Sequence, residues 1–239
     1  MPIRGAIAPN NIYHVLNRGV DKRKVFLDEE DYLRFIHDLF EFNDVNPTNN
    51  LTYRFNLKPK ELDPYLREAE KKKPRKLLVD VLAFCLMPNH YHLLLKPYSS
   101  ESLILFMRKL NVGYAMYFNQ KHKRTGVLFE GRYKMVPVSR DAHFIHLPYY
   151  IHFNPLDLLS KQWRQRELKD YARAIKFLEA YRWSSHLDYL GIKNFPSVTQ
   201  RKLLLEFFGS ENGYRKSVKN WLKEIDTESI GNLSLESKD

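Results

Sequence analysis

Two apolar runs, "LLVDVLAFCLMP" (Leu77–Pro88) and "HYHLLLK" (His90–Lys96), meet at a Pro-Asn turn. Short runs rich in Leu, Val and Phe, separated by a turn dipeptide, predict two adjacent strands. This pair limits the fold more than any other stretch, because it commits the middle of the chain to a sheet. On a strand, residues two apart share a face. His90 and His92 are therefore expected side by side, with Tyr91 on the opposite face. Two imidazoles so placed are either satisfied core or surface histidines, or the start of a divalent-metal site. Spacing alone leaves both readings open.

The surrounding chain reads as a mixture of strands and helices. "NIYHVLNRG" (Asn11–Gly19) is strand-like, and "DEEDYLRFIHDLFEFND" has the acidic start and apolar spacing of a helix. The stretch from Asn46 to Lys76 holds four prolines and the run "REAEKKKPRK", and reads as a basic insertion, mostly solvated loop. "ESLILFMRKLNVGYAMYFNQKHK" predicts a helix, "GVLFEGRYKMVPV" (Gly126–Val138) a strand, and "RDAHFIHLPYYIHFNP" (Arg140–Pro155) a helix with Pro148 inside it. The C-terminal third reads as helical, with Ser184 or Ser185 a candidate cap. The expected class is α+β: an antiparallel sheet of four to five strands covered by helices, with a helical C-terminal extension. The expected division is a catalytic domain over 1–160 with the insertion at 46–76, an extension over 161–226 and a polar tail at 227–239.

Composition narrows the partners. The formal net charge is +11 and the pI about 9.5, which favours polyanions, nucleic acid ahead of anionic membrane. The one cysteine, Cys85, excludes an internal disulfide and a Cys-only zinc site, and suits a reducing cytoplasm. The N-terminal sequence lacks the apolar core of a signal peptide, and no apolar run has the length of a membrane span. A cytoplasmic protein is expected.

"YYIHFNP" offers further groups. Tyr150 and Asn154 are four apart and share a helix face, whereas Tyr149 faces elsewhere. The Asn154 amide oxygen can serve as a metal ligand, or the residue can be a helix C-cap before Pro155.

Several stretches together resemble one family. "YHVLNRGVDKRKVFLDEEDYLRFI", "LMPNHYHLLL", "YFNQKHKRTGVLFEGRYK", "YIHFNP" and "YRWSSHLDYLG" occur in that order and are similar to the single-tyrosine HUH transposases, in particular their REP-associated branch. The resemblance implies an antiparallel sheet with helices, His90 and His92 as metal ligands, Tyr150 as the catalytic nucleophile, and Asn154 as a helper ligand. It implies Mg²⁺ or Mn²⁺, and cleavage and rejoining of single-stranded DNA, a hairpin by expectation, through a 5′-phosphotyrosine. Arg132, Lys134, Lys121, Lys123 and Arg124 are candidate contacts to the DNA backbone. The protein is expected to act as a monomer or homodimer, away from membranes. Pro148, two residues before the nucleophile position, departs from the pattern and is expected to kink or restart the helix. The competing reading is a hairpin-binding protein of the same fold that does not cleave.

Overall fold

The computed structural model describes residues 7–46, 75–138, 141–165 and 167–224. Most of the expected insertion, and the expected tail, lie outside the described residues. The elements are β1 (Tyr13–Arg18), α1 (Glu29–Glu41), β2 (Val79–Met87), β3 (His90–Pro97), α2 (Ser100–Lys121), β4 (Lys134–Pro137), α3 (Asp141–Phe153), α4 (Tyr171–Ala180), α5 (His186–Tyr189), α6 (Lys202–Phe208) and α7 (Glu211–Glu224). The four strands form one antiparallel sheet in the order β2-β3-β1-β4. The fold is α+β, as the sequence predicts. Among the described residues, no helix is long and apolar enough to cross a membrane.

Strand period divides the interior into two cores. Tyr13, Val15, Tyr91, Leu93 and Leu95 face α1 and α2, meeting Phe35, Leu39, Phe106, Leu110 and Tyr114. Ala83, Cys85, Met87 and Leu94 face the other way, into a core shared with α3 and the C-terminal helices. Local signals set the helix starts. Asp28 accepts a hydrogen bond from Asp31 N at the head of α1, and Ser99 forms a capping box with Ser102 at the head of α2.

The C-terminal helices cover the sheet. Ser184 bridges to Cys85, and Leu86 N donates to Trp183 O at 2.9 Å. The Tyr181 and Tyr189 hydroxyls donate to Leu86 O and Leu82 O, each at 2.6 Å. Ser185 precedes α5 but its side chain does not cap it. Its hydroxyl instead accepts from Phe84 N at 3.0 Å and meets His152 Nε2 at 2.7 Å, because two buried polar partners outcompete a local cap. The predicted strand over 126–138 is also shorter than expected. Only Lys134–Pro137 pairs as a strand, with an isolated bridge between Gly19 and Phe129.

Candidate nucleic-acid processing site

The site forms where β1 and β3, the two central strands, lie under α3. Register places Leu16 opposite His92, His14 opposite Leu94, and Arg18 opposite His90. Cross-strand partners share a face, so His14, Arg18, His90 and His92 all project toward α3. The rings of His90 and His92 lie 5.0 Å apart. His14 stacks on His92 at 5.1 Å, with its Nε2 2.9 Å from His92 Nδ1. His90 Nδ1 is 2.7 Å from Asn89 Oδ1, in the turn between β2 and β3. Tyr91 points to the other face, as its place between the histidines predicts, and its hydroxyl donates to Asn111 Oδ1 at 2.7 Å.

α3 supplies the tyrosine. Pro148 lies inside this helix, which continues through it from Asp141 to Phe153. The helix does not restart after Pro148, and Tyr150 projects at the histidines. Its ring centroid is 5.8 Å from that of His92 and 6.3 Å from that of His14, both edge-on. Tyr149 turns away, stacked on Tyr214 at 5.4 Å and Trp221 at 5.2 Å.

Two residues after Tyr150, on roughly the opposite side of the helix, His152 fixes α3 in place. Its Nδ1 meets the Tyr214 hydroxyl at 2.7 Å, and His186 Nδ1 meets the same hydroxyl at 2.8 Å. One hydroxyl has one proton, so it donates to one imidazole and accepts from the other. Burial pushes the His152 pKa well below the usual range, with the nearby His186 adding to it. Burial first, then the Arg215 charge, takes that of His186 down to about 3. Both stay neutral, as hydrogen-bonded buried histidines should.

Asn154, fully buried, donates from Nδ2 to Tyr150 O at 2.9 Å. Its Oδ1 accepts from Arg164 Nη2 at 3.1 Å. Arg164, in the 3₁₀ turn Lys161–Gln165, also donates from Nη1 to the Tyr150 hydroxyl at 3.0 Å. Sequence reasoning did not find His14 or Arg164. His14 left a trace, a histidine at an alternating position of an apolar strand. Arg164 left none, since one arginine in "KQWRQRELKD" looks like any solvated charge.

The basic residues separate by location. Lys134 lies opposite Leu16, on the histidine face of β4. Arg132 is exposed just before it. Lys121 ends α2 and Lys123 and Arg124 follow it, in the layer on the other face of the sheet. Lys121 Nζ is 2.6 Å from Asp28, 3.0 Å from Glu30 and 3.0 Å from Asp31. Arg124 donates to Asn119 Oδ1 at 2.9 Å, and Lys123 is exposed. Asp28, Asp31 and His122 bring their ligand atoms within 4.8 Å of one another. The Lys121 ammonium bonds both carboxylates and His122 Nε2 lies 3.0 Å from Asp31, so the three side chains already belong to an ion-pair cluster around Lys121.

The residues under α3 fit a divalent ion by the chemistry of their donors. Two imidazoles share a face with their ring centroids 5.0 Å apart, and the Asn154 amide directly follows the covering helix. Nitrogen and oxygen donors of this kind suit first-row divalent metals and leave positions for substrate oxygens.

No curated protein matches this chain. Among solved structures, one described as "Structure of the REP associates tyrosine transposase bound to a REP hairpin" is similar at a TM-score of 0.44 and 10% identity, over 81% of this chain and 88% of that one. Residues 49–154 match the family model described as "Transposase IS200 like". That span runs from before β2 to Asn154 and includes His90, His92 and Tyr150. The stretch that supplies the histidine pair and the facing tyrosine is thus similar to the IS200-like transposases.

Proposed function

We propose that the chain is a metal-dependent endonuclease and strand transferase acting on single-stranded DNA, with Tyr150 the nucleophile. The observation that carries this reading is the approach of the Tyr150 ring to 5.8 Å from His92, on a helix that turns Tyr149 away. Tyr150 Oη attacks a phosphodiester phosphorus. The Oη–P bond forms as the P–O3′ bond breaks. The phenol loses its proton and the departing 3′ oxygen gains one, leaving a 5′-phosphotyrosine and a free 3′-OH. A 3′-OH from a second strand reverses the step and is joined, so no nucleotide cofactor is consumed.

His90, His92 and Asn154 would hold the ion, Mg²⁺ or Mn²⁺. When bound it supplies Lewis-acid polarisation of a phosphate oxygen, needed because an unperturbed tyrosine, with a pKa of about 10, is a weak nucleophile at neutral pH. His14 orients His92 through the Nδ1 contact. Lys134 and Arg132 supply positive charge on and beside the histidine face. Arg18 adds a guanidinium next to His90, its Nε buried and with no hydrogen-bond partner among the described residues. Lys123 and Arg124 would serve a more distant part of the strand.

The substrate class, a single strand with a hairpin, comes from the sequence resemblance and agrees with the +11 charge. Cytoplasmic location and a monomeric or homodimeric state are part of the same proposal.

Labelled hairpins from DNA flanking the protein's own gene, incubated with Mn²⁺, Mg²⁺ or EDTA and run on a denaturing gel, test it. A metal-dependent covalent band, lost in Tyr150→Phe and His92→Ala, is expected. A band that survives Tyr150→Phe moves the nucleophile. Binding without any band leaves a recognition protein.

A further inference from the structure

Arg164 stands outside the matched family segment and outside the histidine set, yet its guanidinium touches the tyrosine hydroxyl. It donates from Nε to Asp157 Oδ1 at 2.9 Å and from Nη2 to Asp157 Oδ2 at 2.7 Å, a two-pronged pair. Trp163 Nε1 donates to the same Asp157 Oδ1 at 2.7 Å. The guanidinium lies 4.8 Å from the centroid of the Trp163 ring and 5.2 Å from that of Tyr150. Asp157 and Trp163 thus fix the plane of the fork. What the fixed fork presents is one N–H to Tyr150 Oη at 3.0 Å and one to Asn154 Oδ1 at 3.1 Å.

The geometry points to Arg164 as a catalytic residue of the strand-transfer reaction, one that positions the Tyr150 oxygen and stabilises the negative charge that builds on it. This rests on the reading of Tyr150 as nucleophile. A donor to an oxygen is worth more as that oxygen becomes anionic, and a charged donor more than a neutral one. During cleavage the phenol sheds its proton while Oη bonds to phosphorus. During rejoining the same oxygen leaves as a phenolate. Arg164 favours both directions, because both pass through the same partly anionic oxygen. The second prong ties the Asn154 amide to the same frame, so the proposed metal ligand and the nucleophile move as a unit. Lysine cannot replace this, since one ammonium cannot hold Asp157 in two-pronged fashion and also reach both oxygens in a fixed plane.

The test compares wild type, Arg164→Ala and Arg164→Lys on a cleaved hairpin, measuring hairpin affinity, adduct rate and rejoining rate, with and without added guanidinium. Arg164→Ala is expected to slow adduct formation and rejoining together by about 10²–10³-fold while affinity stays within about threefold. Millimolar guanidinium is expected to restore part of the lost rate to Arg164→Ala and none to Tyr150→Phe. Arg164→Lys is expected to fall between wild type and Arg164→Ala. Wild-type rates in Arg164→Ala would overturn the proposal. So would a loss that guanidinium does not restore when Arg164→Lys is as slow as Arg164→Ala, which would mark a packing role. The absence of any adduct in wild type is a different result: it removes the nucleophile reading itself.

Discussion

His14 Nε2 and His92 Nδ1 lie 2.9 Å apart, on adjacent strands and with their rings stacked. One of the two nitrogens must carry the proton. If His92 gives its Nε2 to an ion, its Nδ1 keeps the hydrogen and donates to His14, which fixes the tautomer and the ring plane. Replacing His14 by Ala is therefore expected to weaken Mn²⁺ binding by about 10–100-fold. Titration of free Mn²⁺ by electron paramagnetic resonance measures this without relying on DNA cleavage. Unchanged affinity would mean that strand packing alone orients His92.

The two adjacent tyrosines should separate cleanly. Tyr149→Phe removes a hydroxyl from a ring stacked among Tyr214 and Trp221, and the adduct is expected to persist at close to the wild-type yield. Tyr150→Phe is expected to abolish it. A gel that showed the opposite would reverse the assignment of the two side chains.

Lys121 and Lys134 should report on different properties. Lys121 pairs with the buried Asp31 and two more exposed carboxylates, so Lys121→Ala is expected to cost about 1–2 kcal/mol of stability after allowance for solvent screening. Its effect on hairpin affinity is expected to be small. Lys134→Ala should leave the urea midpoint in place, weaken hairpin binding, and reduce the slope of log affinity against log salt by about 0.7. Equal effects of the two variants on binding would place the DNA across both faces of the sheet.

The buried His186 predicts acid sensitivity. The folded protein keeps it neutral down to about pH 3, whereas an unfolded chain protonates histidine near about pH 6.5. Between those values the unfolded state holds the extra proton, so stability falls as the pH drops below 6.5. The contribution reaches about 2 kcal/mol at pH 5. Urea unfolding at pH 7 and pH 5 measures it, with His186→Asn as the comparison. The variant should lose less stability over that interval than wild type, and an identical loss would assign the effect to other groups.

The sequence by itself determined what depends on neighbours along the chain. Alternation along β3 put His90 and His92 on one face and Tyr91 on the other. A four-residue spacing put Asn154, just past the end of α3, back against Tyr150. An acidic start marked where α1 begins. These follow from the periods of strand and helix, which any short segment carries within it. Tertiary structure decided what depends on strand order and on the path of a turn. His14 reaches His92 from 78 positions away because β1 pairs with β3 in one particular register. Lys121 became a structural cation only when α2 lay beside the head of α1. Helix α3 runs through Pro148 inside a packed core, where a local rule expects a break. Arg164 meets Tyr150 because the chain after Asn154 turns back through Asp157 and Trp163. Pairing energy between distant residues exists only once the backbone has closed the distance, so no local pattern encodes it.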